Sequence, residues 1–364
     1  MSQRFSTGLV VGKFSPLHHG HEYLLNTALE RCERVLCISY SSPELPGCAA
    51  STRRRWLAEL FPSITHLVID EAELARLRTQ HAALPGLPHN DAPELSHRVF
   101  CAELCRSVFE VAVDAVFTSE SYGAGFAAEL QAQFRAAGHR DARVEHVLVD
   151  LERKTVPISA TAIRADRERG LDFLSPAVRA SFVPRVCLLG GESSGKTTLT
   201  RRLAQSYATT HCEEYGRELW ISRGGALSYE DFLLIASTQL ELEERAARAA
   251  RSVVFCDTSP LTTLFYCIDQ FGRAEPELCA QAERSYDLTL LCAPDLPFVQ
   301  DGTRQDEAFR LRQHEFYLNE LERRAARWQL VQGSLEARIE QARRAIQLLF
   351  LPDSLVDERA SWQG

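Results

Sequence analysis

The sequence predicts an α/β protein of two domains, each built on a parallel sheet that is covered by helices. Its 364 residues are about twice the usual size of one domain. In both halves short apolar runs alternate with segments of helical periodicity, which is typical of βαβ units. Each half also begins with an apolar run that leads into a glycine-bearing loop, "VVGKF" in the first and "CLLGGESSGKT" in the second.

The apolar runs of the first half predict five strands, with helices between them. The expected strands are "GLVVGKF", "RVLCISY", "HLVID", "DAVFTS" and "ARVEHVLVD", and the expected helices include "HEYLLNTALERC" and "RRRWLAELF". The segment Thr79–Ser96 is rich in proline and polar residues, so we expect a loop over a site or a mobile insertion. A proline-containing connector, "LDFLSPAVRASFVPR", predicts a domain boundary near Ala180.

The second half repeats this rhythm from Val186 onward. Strands are expected at "RVCLLG", "SVVFCDT" and "LTLLCA", and helices over Lys196–Ala208, around Tyr229–Arg251 and from Asp306 onward. The predicted domains are therefore residues 1–180 and 181–351, followed by a loose tail of residues 352–364.

The composition narrows the class of protein. A net charge of −8 gives no basic face for non-specific binding of nucleic acid. No stretch approaches the ~20 apolar residues that a membrane-spanning helix needs. The eleven cysteines are an odd number and no leader opens the chain, so we expect a reducing, cytoplasmic compartment. Whether the chain forms a homo-oligomer stays open.

The strongest local motif follows the first strand of the second half. "GGESSGKT" fits G-x-x-x-x-G-K-[ST] and stands between an apolar strand and a helix. In such a P-loop the backbone N–H groups hold phosphates, Lys196 reaches the β- and γ-phosphates of ATP, and the Thr197 hydroxyl ligates Mg²⁺. The expected ATP-binding residues are Gly190, Gly191, Glu192, Ser193, Ser194, Gly195, Lys196, Thr197 and Thr198.

Two further features of the second half suit phosphoryl transfer. "SVVFCDT" leads to Asp257, whose carboxylate can bind Mg²⁺ or its water shell, or accept the proton of a substrate hydroxyl. "DGTRQDEAFRLR" places Arg304 and Arg310 in a polar stretch, where a loop could close cations over the transferring phosphoryl group. Both arginines could equally lie on a solvated helix face, and P-loops also occur in GTPases and motor ATPases.

The first half carries a different phosphate motif. In "GKFSPLHHGH", Gly12, Lys13 and Phe14 end a strand, and His18 and His21 follow in the pattern H-x-G-H. Two imidazoles three residues apart at a helix start can aim N–H donors at one spot. There they would stabilise the charge that builds on an α-phosphate during nucleophilic attack.

A second element of the first half lies far along the chain. "ISATAIR" places the hydroxyls of Ser159 and Thr161 at a helix start and follows them with Arg164. The guanidinium of Arg164 would suit the β- and γ-phosphates. The two elements together, H-x-G-H and "ISATAIR", are a much more specific sequence signal than either motif alone.

These two elements resemble the nucleotidyltransferase superfamily, and adding the P-loop half makes the chain similar to NadR-type bifunctional enzymes. Such enzymes join an NMN adenylyltransferase on a Rossmann-like parallel sheet to a ribosylnicotinamide kinase on a P-loop parallel sheet. The resemblance rests on the order of "GKFSPLHHGH", "RRRWL", "FTSE", "ISATAIR", "LLGGESSGKTTL", "EEYGRE", "FCDTSPLTT" and "DGTR".

The resemblance implies roles for further residues. It assigns His18 and His21, with Lys13 nearby, to the α-phosphate of ATP. It matches Arg53 and Arg55 to a basic pair before a helix tryptophan, and it assigns Glu214, Tyr215 and Arg217 to a nucleoside pocket. Asp257 and Arg304 match an acidic strand end and a lid.

The implied function is NAD biosynthesis from ribosylnicotinamide through NMN, with ATP and Mg²⁺ at both steps. Two alternatives stay open: a transferase and kinase pair that acts on another acceptor, and a regulatory protein that senses nucleotides. Three departures bear on the resemblance. Ser259 stands where the family often has a second aspartate, the Thr79–Ser96 segment offers no tryptophan or tyrosine to stack on nicotinamide, and the first strand begins by Leu9, so no helix-turn-helix repressor domain is expected.

Overall fold

The computed structural model describes residues 4–300, 302 and 304–350, without the side chains of residues 167 and 168. The predicted tail of residues 352–364 lies outside the described residues. Contacts within the chain divide it into two compact units between Ser181 and Phe182. Each unit is described by itself.

The first unit contains one sheet in its described part. The strands are β1 (Phe5–Val11), β2 (Cys32–Tyr40), β3 (Thr65–Ile69), β4 (Ala115–Thr118) and β5 (Glu145–Leu148). All are parallel, and their order is β3-β2-β1-β4-β5. The helices are α1 (His19–Arg31), α2 (Ala50–Leu60), α3 (Glu71–Arg78), α4 (Glu94–Ser107), α5 (Gly123–Ala136), α6 (Ala160–Ala165), α7 (Arg167–Gly170) and α8 (Pro176–Arg179).

The second unit also contains one parallel sheet in its described part. The strands are β6 (Arg185–Leu189), β7 (His211–Cys212), β8 (Val254–Asp257), β9 (Leu288–Cys292) and β10 (Trp328–Val331), in the order β10-β9-β6-β8-β7. The helices are α9 (Lys196–Ser206), α10 (Tyr215–Ser222), α11 (Tyr229–Ala249), α12 (Pro260–Phe271), α13 (Pro276–Ala282), α14 (Glu307–Arg323) and α15 (Leu335–Gln347).

Alternating side chains of β6 show how the second sheet is covered on both faces. Val186 and Leu188 lie in a core with α9 and α15. Cys187 and Leu189 lie in another core with α11, α12 and α14. Because successive strand residues point to opposite faces, this continuous apolar strand is what a doubly covered parallel sheet requires.

The position of the first strand in each order determines where ligands can bind. β2 and β3 lie on one side of β1, and β4 and β5 lie on the other. In the same way, β7 and β8 lie on one side of β6, and β9 and β10 lie on the other. This change of direction beside the first strand opens a crevice at the carboxyl ends of the strands. The loop after Val11 and the loop after Leu189 both begin at such an edge. These are the two glycine-bearing loops of the sequence.

The predicted fold class, two α/β units with parallel sheets, is confirmed. Some elements differ from the prediction. The region from Asp306 is not continuously helical, because Trp328–Val331 pairs with β9 as an outer strand. Helices α3 and α5 were not identified from the sequence, and α4 begins at Glu94, inside the predicted loop. None of the described helices is long and apolar enough to cross a membrane.

Candidate active sites

The histidine pair lies at the start of α1, immediately beyond the carboxyl end of β1. His18 is the N-cap residue, and its Nδ1 accepts a hydrogen bond from the backbone N–H of Gly20 at 3.1 Å. The Nδ1 of His21 accepts from the backbone N–H of His18 at 3.4 Å, and the two ring centroids are 3.8 Å apart. Because Nδ1 of each ring is an acceptor, the proton of each neutral ring resides on Nε2.

Burial keeps both imidazoles neutral. It lowers the pKa of His18 to about 4, with smaller contributions from the charges of Arg153 and His19. Burial and the neighbouring His18 also lower the pKa of His21 well below its usual value, against the effect of a hydrogen bond to the Pro16 carbonyl. At neutral pH the pair can therefore act through N–H donors rather than through full charges.

The structure brings the two phosphate motifs of the first unit to one cavity of about 260 Å³. We call it the histidine cavity; it is lined by His18 and His21 from one motif and by Ser159, Thr161 and Arg164 from the other. The Ser159 hydroxyl caps α6 by accepting from the N–H of Ala162 at 3.1 Å. Arg164 donates to the Ser15 carbonyl and to Thr161 Oγ1.

The histidine cavity also contains groups that sequence reasoning missed. Asp150 and Arg153 line it. The Asp150 carboxylate accepts hydrogen bonds from the backbone N–H groups of Lys154, Thr155 and Val156, which shapes the loop, and Arg153 pairs with Glu120 at 2.9 Å. Neither residue belongs to a periodic or spaced motif, so the sequence carries no local signal for them.

Lys13 and Phe14, which follow Gly12, line the histidine cavity beside the two imidazole rings. Phe14 is buried, has a φ of 47°, and its ring lies 4.9 Å from that of His21. A Cβ on Gly12 would lie 3.1 Å from the Phe14 ring, so a larger residue would require the ring to shift. Burial lowers the pKa of Lys13, while the charge of Asp91 acts in the opposite direction.

Lys13 also lines a second cavity, of about 230 Å³. We call it the tyrosine cavity; Tyr40, Tyr122, His97 and Asn90 are among its lining residues. Tyr40 Oη and His97 Nδ1 are 2.9 Å apart, and their rings are stacked at 5.8 Å. The Thr79–Ser96 segment contains no tryptophan or tyrosine. The two tyrosines of this cavity come instead from the end of β2 and the N-cap of α5.

The predicted loop Thr79–Ser96 contributes to the tyrosine cavity through Asn90. Asn90 accepts at Oδ1 from the Ser41 hydroxyl and donates from Nδ2 to the Pro43 carbonyl at 2.8 Å. These bonds attach the loop to the chain that follows β2. Through Asn90 the Thr79–Ser96 segment lies beside the tyrosine cavity, and its role over a functional site stays a prediction.

Arg53, expected to bind nucleotide, lies elsewhere. Its side chain is completely buried and is absent from the linings of both cavities. Arg53 Nη1 donates to Ser39 Oγ at 2.6 Å and to the Lys13 carbonyl at 3.4 Å, and Nη2 pairs with Glu44 at 2.9 Å. In this arrangement the guanidinium holds the loop at the Lys13 carbonyl, and the nucleotide contact of Arg53 stays a prediction. Arg55 is exposed and donates to Ser181 Oγ at 2.9 Å.

The P-loop of the second unit adopts a tight turn ahead of α9. Gly190 and Gly195 have φ values of 146° and 82°, and α9 begins at Lys196. Lys196 Nζ donates to the carbonyls of Gly190 and Gly191 at 2.8 and 3.1 Å. The ammonium thus lies along the loop, within reach of an anion cradled by it.

Asp257 and Thr197 face each other beside this loop. Asp257 is buried at the end of β8, and a hydrogen bond from Thr197 partly opposes the effect of burial, which raises the Asp257 pKa. Asp257 Oδ1 has no hydrogen-bond partner among the described residues. A hydroxyl, a carboxylate and one unsatisfied oxygen suit Mg²⁺, which usually takes few protein ligands and completes its shell with phosphates and water.

The segment at the start of α10 lies in the same electrostatic environment. Burial raises the pKa of Glu214, and the charges of Lys196 and Arg217 act against this rise. Arg217 also lowers the pKa of Asp257. The backbone N–H of Tyr215 donates to Gln239 Oε1 at 3.0 Å, which fixes the start of the helix.

Of the two arginines predicted to close over phosphate, only Arg304 contacts the P-loop with its guanidinium. Arg304 Nη1 lies 3.3 Å from Ser193 Oγ. Arg310 is 2% exposed, and its guanidinium donates to the Leu296 carbonyl and pairs with Glu307, both at 2.7 Å. In this arrangement the Arg310 guanidinium is bonded to the protein, and its contact with phosphate stays a prediction. A Cβ on Gly191 would lie 2.5 Å from the Arg310 carbonyl oxygen.

Ser259, which departs from the family pattern, caps α12. Its hydroxyl accepts from the backbone N–H of Leu261 at 3.3 Å. The side chain is thus used by the helix that follows β8. In the described residues, no group of three or more His, Cys, Asp or Glu side chains could hold a metal ion by itself.

Comparison with known proteins adds independent information. Residues 185–338 match the AAA domain family model. The chain is 31% identical over 314 residues to the trifunctional NAD biosynthesis/regulator protein NadR of Salmonella typhimurium, covering 82% of this chain and 71% of that protein. It is 30% identical over 324 residues to the protein of the same name from Escherichia coli, covering 83% and 72%.

Two solved structures are similar over nearly the full length. A crystal structure of a NadR protein in complex with NAD and AMP-PNP has a TM-score of 0.66 and 21% identity, and the match covers 95% of this chain and 96% of that one. A NadR structure in complex with NR has a TM-score of 0.68 and 22% identity, with the same coverage. At these identities the likeness concerns the fold.

Proposed function

The chain belongs to the NadR family, and from that premise we propose that it makes NAD from ribosylnicotinamide in two ATP-dependent steps. The second unit phosphorylates ribosylnicotinamide to NMN, and the first unit transfers AMP from a second ATP to NMN, which releases pyrophosphate. The observation that carries this proposal is that each sheet ends in its own phosphate-binding loop. Two consecutive reactions on one metabolite need two such loops.

In the kinase step, a ribosyl hydroxyl of the nucleoside attacks the γ-phosphorus of ATP, the bond from that phosphorus to the β-phosphate oxygen breaks, and ADP leaves. The P-loop backbone holds the phosphates, and Lys196 exchanges its contacts with the Gly190 and Gly191 carbonyls for the β- and γ-phosphate oxygens. Mg²⁺, held by Thr197, Asp257 and phosphate oxygens, would screen the charge of the triphosphate. Arg304, beside Ser193, supplies a further cation to the transferring group.

The carboxylates beside the P-loop serve the nucleoside. Glu214 and Asp257 share one electrostatic environment with Lys196 and Arg217. Asp257 is positioned to accept the proton of the attacking hydroxyl or to hold the metal, and Glu214, Tyr215 and Arg217 hold the ribose and base. Burial raises the pKa values of both acids, which favours proton acceptance at this place.

In the adenylyl transfer, a phosphate oxygen of NMN attacks the α-phosphorus of ATP, and the bond to the β-phosphate oxygen breaks. The Nε2–H groups of His18 and His21 stabilise the charge that builds on the α-phosphate, that of His21 after it exchanges the Pro16 carbonyl for a phosphate oxygen. Arg164, with the helix start at Ser159 and Thr161, holds the leaving pyrophosphate. Neutral imidazoles suit this role because it requires donors and no covalent intermediate.

The tyrosine cavity accepts NMN in this proposal. Tyr40 and Tyr122 offer aromatic faces for the nicotinamide ring, and Asn90 offers amide groups to its carboxamide. Lys13 lines both cavities, so its ammonium lies where the phosphate of NMN meets the α-phosphate of ATP.

The experiment is incubation of the full chain with ribosylnicotinamide and Mg-ATP, followed by identification of the products. We expect NMN and NAD. The variant Lys196→Ala should lose phosphorylation of ribosylnicotinamide by ~10²–10³-fold while it still makes NAD from supplied NMN, because this lysine acts only on the second unit's phosphates.

Three other results would contradict the proposal. Transfer to a different phosphorylated acceptor would change the substrate, and nucleotide binding without any product would indicate a sensor. Equal loss of both activities in a folded Lys196→Ala protein would show that the two reactions are not chemically separate.

A further inference from the structure

Glu192 is an acidic residue within the P-loop, and its side chain is buried. The residue is 9% exposed. Its Oε1 accepts a hydrogen bond from the Tyr266 hydroxyl at 2.9 Å, and its Oε2 accepts from the backbone N–H of Gln305 at 2.7 Å. Its own N–H donates to Gln313 Oε1 at 2.9 Å. One residue therefore joins the P-loop to α12, to α14 and to the residue that follows Arg304.

The contact with Gln305 bears directly on Arg304. The peptide N–H that Glu192 holds is that of the residue immediately after Arg304. The next P-loop residue, Ser193, accepts at Oγ from Arg304 Nη1 and from the backbone N–H of Val299 at 3.0 Å. Two consecutive P-loop side chains thus fix both the backbone and the guanidinium at Arg304.

We infer that Glu192 is a positioning residue of the kinase reaction, which acts by holding Arg304 over the P-loop. The inference rests on the proposed function, because it takes Arg304 to act on the transferring phosphoryl group. Glu192 itself touches no phosphate in this arrangement. Its contribution is to set the distance between the guanidinium and the cradle.

This position needs a side chain that reaches Tyr266 and Gln305 at the same time. Glutamine has almost the same shape as glutamate. Its Oε1 can accept from the Gln305 N–H, and its NH₂ group can donate to the Tyr266 hydroxyl oxygen, which accepts as well as donates. Glu192→Gln should therefore keep both contacts, whereas Glu192→Ala removes both.

The test is a double-mutant cycle in the full chain, with Glu192→Ala, Arg304→Ala and the combined variant, and with Glu192→Gln as the conservative variant. The kcat and the KM values for ATP and ribosylnicotinamide are measured with Mg-ATP, and a thermal melting curve of each variant reports on folding of the second unit. We expect Glu192→Gln to stay within about twofold of the parent kinase kcat and Glu192→Ala to lower it about tenfold, because small misplacements of catalytic groups are costly. Both KM values should stay within about twofold. In the Arg304→Ala background, Glu192→Ala should lower kcat by less than about twofold.

Glu307→Ala is the matched control. Glu307 is an exposed acid at the start of α14 that pairs with Arg310 and has no hydrogen bond to Glu192. It should keep the kinase kcat within about twofold of the parent value. A comparable loss in this variant would mean that removal of any nearby negative charge suffices, and it would overturn the inference.

The cycle separates this inference from the proposed function. If Arg304→Ala leaves the kinase rate unchanged, the assignment of Arg304 fails. If Arg304→Ala lowers the rate but the two effects multiply, Glu192 acts by another route and the inference is wrong. A rise in the KM for ribosylnicotinamide with kcat retained would also overturn it, since this would place Glu192 in substrate binding.

Discussion

Two imidazoles without charge can stabilise a phosphate only through the N–H groups that they direct at it. His18 and His21 each accept a backbone hydrogen bond at Nδ1, so the proton of each ring is on the other nitrogen. Burial lowers the pKa values of both rings, which removes the alternative of a fixed imidazolium at neutral pH. At the residue scale, the site therefore depends on which nitrogen of each imidazole carries the proton and on where that N–H points.

The first prediction concerns His21→Ala. The variant should lower the rate of NAD formation from NMN by ~10² or more and leave ATP binding nearly unchanged, because the interaction strengthens only in the transition state. The measurement is steady-state adenylylation of NMN beside a melting curve on the same preparation. A destabilised protein that retains full turnover would instead indicate that His21 is structural and packs only against Phe14 and His18.

Local spacing predicted some residues and could not predict others. The histidine pair and the P-loop were found because their chemistry depends on neighbours along the chain. Arg53 and Arg310 are almost completely buried and bind both carbonyls and carboxylates of the protein. Arg164 and Arg304 also donate to protein carbonyls, but Arg164 lines the histidine cavity and Arg304 contacts the P-loop. Whether a guanidinium meets a ligand or the protein depends on distant residues such as Ser39 and Leu296. No local pattern reports on that.

At the element scale, the loop after β1 depends on a side chain from α2. Arg53 links the Lys13 carbonyl to Ser39 at the end of β2 and to Glu44. The carboxyl ends of two neighbouring strands are thus joined by one buried guanidinium. This link holds the backbone of Lys13, which lines both cavities of the first unit.

The second prediction is that Arg53→Ala destabilises the first unit by about 3 kcal/mol, because it leaves buried acceptors without a partner. Loss of NAD formation should accompany the loss of stability, while phosphorylation of ribosylnicotinamide persists. Denaturant unfolding with both assays on one preparation measures this. The control is Arg55→Ala on the same helix, an exposed site where we expect a change within about 0.5 kcal/mol.

A different outcome would support the predicted contact of Arg53 with the nucleotide. If Arg53→Ala unfolds like the parent protein but has a much higher KM for ATP, then the guanidinium meets the nucleotide during turnover. Its role in supporting Lys13 would then be secondary.

The elements themselves were predictable where periodicity was strong. The strands β2 and β6 are buried apolar runs and were predicted near their observed bounds, whereas β1 was predicted three residues too late, as "GLVVGKF" instead of Phe5–Val11. Strand β10, "WQLV", is short, lies between two helical segments and is only half-buried along most of its length. Its sequence therefore shows no alternation of apolar and polar residues that would predict its pairing with β9. The strand orders follow from tertiary packing and have no local cause in the sequence.

At the scale of the whole molecule, each compact unit contains every group that its own reaction needs. The histidine cavity and the tyrosine cavity are lined only by residues before Ser181. Lys196, Asp257, Glu214 and Arg304 all follow Phe182. The core of the first sheet and the two cores of the second sheet share no residue. Each unit should therefore fold and react without the other.

The last prediction tests this independence by expressing residues 1–181 and 182–364 separately. We expect two soluble proteins with cooperative thermal unfolding, because contacts within the chain divide it into two compact units at this boundary and each unit has its own buried core. The first should make NAD from NMN and ATP, and the second should make NMN from ribosylnicotinamide and ATP. Mixing them should restore NAD formation from ribosylnicotinamide, since NMN can diffuse from one to the other. Halves that are insoluble alone and recover only on co-expression would show a shared core, and the boundary at Ser181 would then be wrong.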